Sequence, residues 1–148
     1  MALDKWDSRF SYMARMVSTW SKDPSTGCGA VIVDSRNIVR GLGYNGLPRR
    51  VDDHPERLHN RELRLALTLH AEANAILHSQ HPIRGCSLYV WPMPPCSRCA
   101  ALIIQAGISR VVAPAPAPSL ADRWGESIEL AVMAMREAGV RVDIVEAE

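Results

Sequence analysis

Two short segments carry residues whose types and spacing suit metal chemistry. The first is His70-Ala71-Glu72, and the second is Pro95-Cys96-Ser97-Arg98-Cys99. One imidazole and two thiolates form a ligand set that zinc takes in catalytic sites, where the fourth position is left for water. Glu72 stands two residues past His70, so its carboxylate can reach that water without binding the metal. The pattern predicts a catalytic zinc held by His70, Cys96 and Cys99, with Glu72 as the proton carrier.

Each segment taken alone supports other interpretations. Cys-x-x-Cys is equally typical of a thiol redox pair, and that hypothesis predicts a protein without metal. A structural zinc would need a fourth ligand, for which His78 and His81 are candidates at the far end of the helix that His70 opens. A zinc module that binds a nucleotide without turning it over has no use for Glu72. The two segments together favour the catalytic zinc.

Helix starts place both ligand segments. The apolar stripe of Ala71, Ala75 and Ile76 predicts a helix from His70 to about Ser79, and residues 97–106 read as a helix that ends at Gly107. At a helix N-terminus, unpaired backbone N–H groups and the positive end of the dipole favour thiolate. We therefore expect the three ligands in two helix N-terminal turns.

The remaining pattern predicts an α/β fold with a mixed five-stranded sheet flanked by helices. Strands that alternate with helices in the second half predict parallel neighbours, behind an antiparallel hairpin near the start. The predicted elements are a helix over 6–20, strands over 28–33, 38–44, 86–91, 108–113 and 140–145, a long loop from 45 to about 57, a short helical turn over 61–68, an irregular connector over 115–119 and a helix over 120–138.

Composition limits the classes of function. A length of 148 residues predicts a single domain over 1–148, and 47% hydrophobic with 22% charged residues is ordinary for a globular protein. No apolar run is long enough to span a bilayer. A net charge of +1 argues against a general nucleic-acid binder and favours a small-molecule partner. Charges throughout Met1–Phe10 and only four cysteines predict a cytoplasmic protein without a secretory leader.

The basic residues suggest a phosphorylated ligand. Of the 17, 15 are arginine, and five arginines fall in residues 49–64. Guanidinium forks match phosphate oxygens, whereas exposed charges are also the norm on any surface. We expect arginines of this stretch, or Arg84, to bind a phosphate group.

Further segments add to the two metal motifs, and together they resemble the zinc-dependent deoxycytidylate (dCMP) deaminase family in order and spacing. His-x-Glu followed by Pro-Cys-x-x-Cys is the signature of zinc-dependent nucleobase deaminases. The likeness covers roughly residues 5–145. The segments that carry it are Lys22-Asp23-Pro24-Ser25-Thr26, Gly29-Ala30-Val31-Ile32-Val33, Gly43-Tyr44-Asn45-Gly46 with Pro48, His70-Ala71-Glu72-Ala73-Asn74-Ala75-Ile76, Leu88-Tyr89-Val90 and Cys99-Ala100 with Ile103-Ile104.

The resemblance implies a cytidine-deaminase-like three-layer sandwich and hydrolysis of dCMP to dUMP and ammonia, with one catalytic zinc. It also implies substrate contacts from the backbone N–H of Ala71, the backbone carbonyl of Pro94, Thr26, and Asn45 at the sugar hydroxyl. Asn45 is alternatively a turn residue before Gly46. Other open alternatives are a different amino-nucleobase substrate, such as cytidine, a modified cytosine nucleotide or a purine, and a non-catalytic zinc module.

The resemblance also implies regulation. In this family the segment Gly43, Tyr44, Asn45 and Gly46 lies at a site for the activator dCTP and the inhibitor dTTP, between subunits of a hexamer. Magnesium accompanies the triphosphate there. We carry that site, the effectors and the homo-oligomer to this chain as expectations; the segment could alternatively be kept for its turn geometry.

Several positions depart from the family pattern. Between Val90 and Cys96 this chain has one residue more than the usual spacing, which predicts a reshaped pocket wall. After Val112 the family's stacking tyrosine is missing, so we expect Trp124 to line the pocket or its entrance, against ordinary core packing as the alternative. Cys28 replaces an aliphatic residue and is predicted to be a small buried hydrophobe. His54 and His59 do not complete a ligand set for a second zinc.

Overall fold

The computed structural model describes residues 3–146, and its helices and strands follow the predicted alternation. None of the helices within this range is long and apolar enough to cross a membrane. The elements are α1 (Lys5–Ser18), β1 (Gly29–Val33), β2 (Val39–Tyr44), α2 (Pro55–His59), α3 (Arg61–Leu67), α4 (Ala71–His78), β3 (Ser87–Trp91), α5 (Ser97–Ala106), β4 (Arg110–Pro114), α6 (Pro118–Glu137) and β5 (Arg141–Val145).

The five strands form one mixed sheet in the order β2-β1-β3-β4-β5. Strand β1 pairs antiparallel with both β2 and β3, whereas β3, β4 and β5 run parallel. The mixed sheet predicted from the sequence is therefore confirmed. The parallel strands place the carboxyl end of β3 beside that of β4, at the edge of the sheet where α5 and α6 are about to start.

Helices cover both faces of the sheet and make three layers. Helix α1 buries Phe10, Ala14 and Val17 against Val31 and Val112, which point to one face. The opposite face packs under α4, α5 and α6, and that larger core includes Ala30, Ile32, Ala75, Leu88, Ile103, Val111, Ala131 and Met135. Because neighbouring strand residues point to opposite faces, β1 contributes to both cores.

Three predicted segments contain more helix than expected. The loop predicted to run from Asn45 to about Arg57 ends at His54, because Pro55 sits in the first turn of α2, where its fixed φ and missing N–H are tolerated. Asn60 then caps α3 by accepting a hydrogen bond from Leu63, so the predicted short turn is a regular helix. Pro118 likewise starts α6 two residues before the predicted start.

Candidate active site

The two metal motifs lie at the N-termini of neighbouring helices, as predicted. His70 is the N-cap of α4, and Cys96 is the N-cap of α5, with Cys99 in the first turn. Neither N-cap side chain accepts a hydrogen bond from its own helix. All three side chains are therefore free to face a common point.

The donor atoms fit a zinc ion. The Nδ1 atom of His70 lies 3.4 Å from the Sγ atom of Cys96 and 3.4 Å from that of Cys99. A nitrogen and a sulfur that each bind one tetrahedral zinc, at about 2.0–2.1 and about 2.3 Å, are separated by about 3.5 Å. Two thiolates and an imidazole are also the donor types that zinc prefers. The geometry and the chemistry of the set both suit this metal.

No fourth protein ligand joins the group within the described residues. Within residues 3–146, His70, Cys96 and Cys99 are the only three His, Cys, Asp or Glu residues whose ligand atoms all lie within 4.8 Å of one another. The ring of His78 instead contacts Arg49, and His81 lines a separate surface pocket with Arg84. His54 caps α2 through its Nδ1 atom. The three-donor set matches a catalytic site better than a closed structural site.

Glu72 lies beside these donors in a buried position. Its residue is 6% exposed, and it belongs to the first turn of α4. Burial raises the pKa of the Glu72 carboxyl, although the nearby His70 opposes the shift. A carboxyl group with a raised pKa is suited to exchanging protons near neutral pH.

The two thiols share a hydrogen bond that separates their pKa values. Donation from Cys99 lowers the pKa of the Cys96 thiol, and the same hydrogen bond, together with burial, raises the pKa of Cys99. A hydrogen bond to Cys96 raises the pKa of His70 despite its burial. Metal binding requires deprotonated ligands, so binding releases these protons.

A cavity of about 250 Å³ opens over His70, Cys96 and Glu72. The carboxyl end of β3 forms one wall, and the loop over 23–28 forms another. Residues around it include Cys28, Asn45, Leu65, His70, Glu72, Val90, Trp91, Met93, Pro94, Cys96 and Trp124. Its volume lies just below the range of about 300–1,000 Å³ that is typical of small-molecule pockets, so the cavity suits a ligand at the small end of that class.

The rim of this cavity is rich in arginine. Arg61 and Arg123 are exposed at this rim and Arg64 is buried in the cavity wall, whereas Arg84 lies on the separate pocket with His81. The Nη1 atom of Arg123 donates to the hydroxyl of Ser25 at 3.0 Å, and its Nη2 atom donates to that of Thr26 at 3.1 Å. Sequence reasoning missed Arg123, although its neighbour Trp124 was a candidate and offered a signal.

Asn45 stabilises the loop that carries Thr26 through two side-chain hydrogen bonds to its backbone. Its Oδ1 atom accepts from the N–H of Cys28 at 2.8 Å, and its Nδ2 atom donates to the carbonyl of Thr26 at 2.9 Å. The side chain is buried and also lines the cavity. One amide hydrogen and one lone pair remain for a ligand.

Trp124 and Cys28 line the cavity next to the candidate metal ligands. The Trp124 ring meets the His70 ring edge-on, with centroids 5.9 Å apart. Trp124 lines the cavity and also packs partly against the core. Cys28 is half-buried, and its surroundings raise the pKa of its thiol to about 12, mainly through burial and also through Glu72. At neutral pH it is therefore a neutral thiol.

Comparison with known proteins decides the family. The family model of the cytidine and deoxycytidylate deaminase zinc-binding region matches residues 4–115. The chain belongs to this family. It is 44% identical over 140 residues to an uncharacterized deaminase in the luxG 3' region of Aliivibrio fischeri, which covers 95% of this chain and 93% of that protein. It is 40% identical over 131 residues to human deoxycytidylate deaminase, covering 84% of this chain and 70% of that protein.

A solved structure shares the fold of this deaminase. The dCMP deaminase of cyanophage S-TIM5, in complex with dCMP and dUMP, superposes with a TM-score of 0.75 at 21% identity, and the match covers 98% of this chain and 100% of that one. The cytidine-deaminase-like sandwich predicted from the sequence is confirmed by this likeness.

Three residues of the segment Gly43–Gly46 border a second cavity of about 140 Å³, which shares part of its lining with the first cavity. Tyr44, Asn45 and Gly46 line it, and Lys22 stands at the same cavity. Gly43 does not line it, because the backbone of Gly43 packs against α4, where the carbonyl of Ala71 would lie 2.6 Å from an added Cβ. Gly43 therefore has a packing role of its own.

Proposed function

We propose that the protein is a zinc-dependent hydrolase that converts dCMP to dUMP and ammonia, and that residues 1–148 act as one deaminase domain. One observation carries this proposal: two members of the three-donor group, the buried Glu72 and three arginines line the same cavity. The human relative is a deoxycytidylate deaminase, and the cyanophage enzyme binds dCMP and dUMP. Both likenesses support dCMP as the substrate of this protein.

Glu72 is the proton carrier of this reaction. When bound, zinc supplies the Lewis acidity that makes water a nucleophile at neutral pH. Glu72 accepts a proton from the water and delivers it to ring N3 of cytosine, which makes C4 electrophilic. The water oxygen bonds to C4 as N3 is protonated. The same carboxyl then takes the remaining proton from this new hydroxyl group and passes it to the amine, so that the C4–N bond breaks, ammonia leaves and C4 becomes a carbonyl. Glu72 thus acts as base and afterwards as acid. Its raised pKa suits both steps.

Backbone groups beside the metal donors orient the base. The N–H of Ala71 lies in the first turn of α4, where helical N–H groups have no partner within the helix, and it donates to the base carbonyl. The exocyclic amine donates to the carbonyl of Pro94, a buried residue of the cavity wall. Trp124 closes the opposite side against His70. Asn45 and Thr26 hold the sugar.

The 5′-phosphate binds at the rim. The hydroxyls of Ser25 and Thr26 and both Nη atoms of Arg123 already meet there. A phosphate group accepts from all of these donors, and Arg61 adds a second positive charge. Of the arginines expected from the sequence, Arg61 is the one we place beside the phosphate, and Arg123 is added from the structure.

Ammonia release from dCMP and from deoxycytidine tests this function. We expect kcat/KM to be at least about 100-fold higher for dCMP, since hydrogen bonds to a charged phosphate contribute roughly 1.5–3 kcal/mol each. CMP, dCTP and a purine set complete the screen and test the other amino-nucleobase substrates. Equal kcat/KM for the nucleoside and the nucleotide would contradict the phosphate site, and binding without turnover would favour the non-catalytic zinc module.

The same screen, repeated with dCTP and dTTP, tests regulation. We propose that a triphosphate effector with Mg²⁺ binds beside Gly43–Gly46, supported by the second cavity and by Lys22 at its edge. We also propose a homohexamer. Its support is a set of apolar side chains that are exposed on one subunit, Leu65, Leu77, Leu102, Leu130 and Met133.

We propose a cytoplasmic location, where dCMP and a reducing environment are both present. The four free cysteines support this assignment, because thiols persist in a reducing compartment.

A further inference from the structure

Helix α3 buries a charged side chain and exposes apolar ones, whereas helices on a protein surface usually do the opposite. Arg64 is its buried residue, at 7% exposure, whereas Leu63, Leu65 and Leu67 are 37%, 55% and 36% exposed. Burying a guanidinium group is unfavourable unless it is paired. Apolar packing therefore does not account for the position of Arg64.

Arg64 joins two separate parts of the chain. Its Nη1 atom donates to the carbonyl of Leu58 at 2.8 Å, which ties α3 to α2. Its Nε atom has no hydrogen-bond partner and lies 3.6 Å from the Oδ2 atom of Asp23. The Asp23 side chain is 12% exposed, so water screens the attraction between the two charges weakly.

Asp23 in turn shapes the loop that bears the phosphate-binding hydroxyls. Its Oδ1 atom accepts from the N–H of Ser25 at 2.8 Å and from that of Thr26 at 3.3 Å. The hydroxyls of Ser25 and Thr26 are the groups that contact Arg123. A continuous polar chain thus runs from Leu58 through Arg64 and Asp23 to the rim of the catalytic cavity.

The Asp23–Arg64 pair also stands between the two cavities. Four residues line both the 250 Å³ and the 140 Å³ cavity, namely Asp23, Asn45, Arg64 and Thr68. Of these, Asn45 holds the backbone of Thr26 and Cys28, and Asp23 holds the backbone of Ser25 and Thr26. The loop is therefore fixed from its inner side by this shared wall.

We propose that Asp23 and Arg64 form a positioning pair, which holds residues 23–26 in the shape that presents Ser25 and Thr26 to the substrate's phosphate. The inference rests on the proposed function, because it concerns the phosphate of dCMP. Arg64 acts through Asp23, whereas Arg123 acts on the phosphate itself.

Kinetics of four variants test the pair: Asp23→Asn, Arg64→Met, Arg64→Lys and the double variant. Asp23→Asn keeps an oxygen that accepts from Ser25 and Thr26 but loses the charge. We expect each of Asp23→Asn and Arg64→Met to raise KM for dCMP about tenfold with kcat changed less than about twofold, since small misplacements weaken binding. Arg64→Lys restores part of the loss. For deoxycytidine, kcat/KM changes less than about twofold.

The double variant distinguishes a pair that positions the loop from an Arg64 that only neutralises the charge of Asp23. If the pair acts as one unit, the double variant has the same KM as Arg64→Met. If Arg64 merely neutralises Asp23 near the phosphate, Asp23→Asn leaves or lowers KM and the double variant recovers, and this result would overturn the proposal. Arg57→Met is the matched control, because Arg57 also donates to a backbone carbonyl, that of Asp52, but does not line the cavity.

The remaining outcomes are also decisive. Equal losses with dCMP and deoxycytidine, or a lowered Tm with loss of zinc in every variant, would assign the pair to the fold and overturn the positioning role. If the wild-type enzyme prefers dCMP and the variants show the same preference undiminished, this inference alone is refuted. A wild-type enzyme without that preference refutes the phosphate site and the inference together.

Discussion

The environment of Glu72 shows how one residue type acquires a specific task. The carboxyl lies in the first turn of α4, next to His70, and is removed from water. Burial favours its neutral form and the positive charge near it favours the ionised form, with burial the larger effect on its pKa. Such a group changes its protonation state readily during turnover.

Glu72→Gln is expected to keep the metal and lose the reaction. The amide has nearly the same shape but cannot accept a proton, so kcat should fall by about 10³-fold, within the range for general acid–base catalysis. Zinc content by elemental analysis and ammonia release measure the two effects. Glu62→Gln, an exposed change in α3, is the matched control. A variant that retains activity would show that the proton carrier is another group.

The packing of β2 against α4 determines where His70 and Glu72 stand. Strand β2 has glycine at positions 41 and 43, and both approach the backbone of α4. The side chain of Asn74 adds a hydrogen bond to the carbonyl of Tyr44 at 2.8 Å. Because α4 begins at the metal ligand, its distance from the sheet sets the position of the catalytic groups.

Gly43→Ala and Gly46→Ala should differ sharply. A Cβ at Gly43 collides with the backbone N of Ala75 and the carbonyl of Ala71, so α4 must move. We expect the free energy of unfolding to fall by about 1–3 kcal/mol and kcat/KM by about 10–100-fold. Gly46→Ala meets nothing within 4 Å, and its Tm should change by less than about 2 °C. Denaturant unfolding and kinetics of both variants make the comparison, and equal behaviour would contradict the packing role of Gly43.

A buried network of ion pairs and hydrogen bonds connects α1 to strands β3, β4 and β5 of the sheet. Asp7 of α1 accepts two hydrogen bonds from Arg110 of β4, at 2.8 and 3.0 Å, and one from Tyr89 of β3 at 2.7 Å. Arg110 also donates to Asp143 of β5 at 2.8 Å. Hydrogen bonding to Arg110 is the main reason why the pKa of Asp7 lies below its usual value.

Asp7→Asn should lower the free energy of unfolding by about 3 kcal/mol at pH 7, because it leaves a partly buried Arg110 with less compensation. The lowered pKa means that the contribution of Asp7 is complete above the unfolded carboxyl pKa of about 4 and is lost as the pH falls through the folded value. Urea unfolding at pH 7 and at about pH 3 measures both effects.

Glu137→Gln, an exposed change near the end of α6, is the control for this pH dependence. A difference between Asp7→Asn and the wild type that stays constant from pH 7 to about pH 3 would exclude the ionised Asp7 as its source.

Local spacing was sufficient to predict the grouping of His70, Cys96 and Cys99 and the order of elements. His70 with Glu72, and Cys96 with Cys99, are close in sequence, so helix starts alone bring each pair into one turn. The alternation of strands and helices likewise predicted the mixed sheet, because strand periodicity and parallel connections depend on short segments.

Only the tertiary structure shows which side chains surround the candidate metal ligands. Arg123 reaches Ser25 and Thr26 across 98 and 97 residues of chain, respectively, and Arg64 meets Asp23 through the packing of α3 on a loop. Neither contact leaves a periodic or spaced pattern in the sequence, because each depends on how distant elements pack. The sequence therefore shows that an arginine carries a positive charge. Only the fold shows whether that charge faces water, a carboxylate or the substrate.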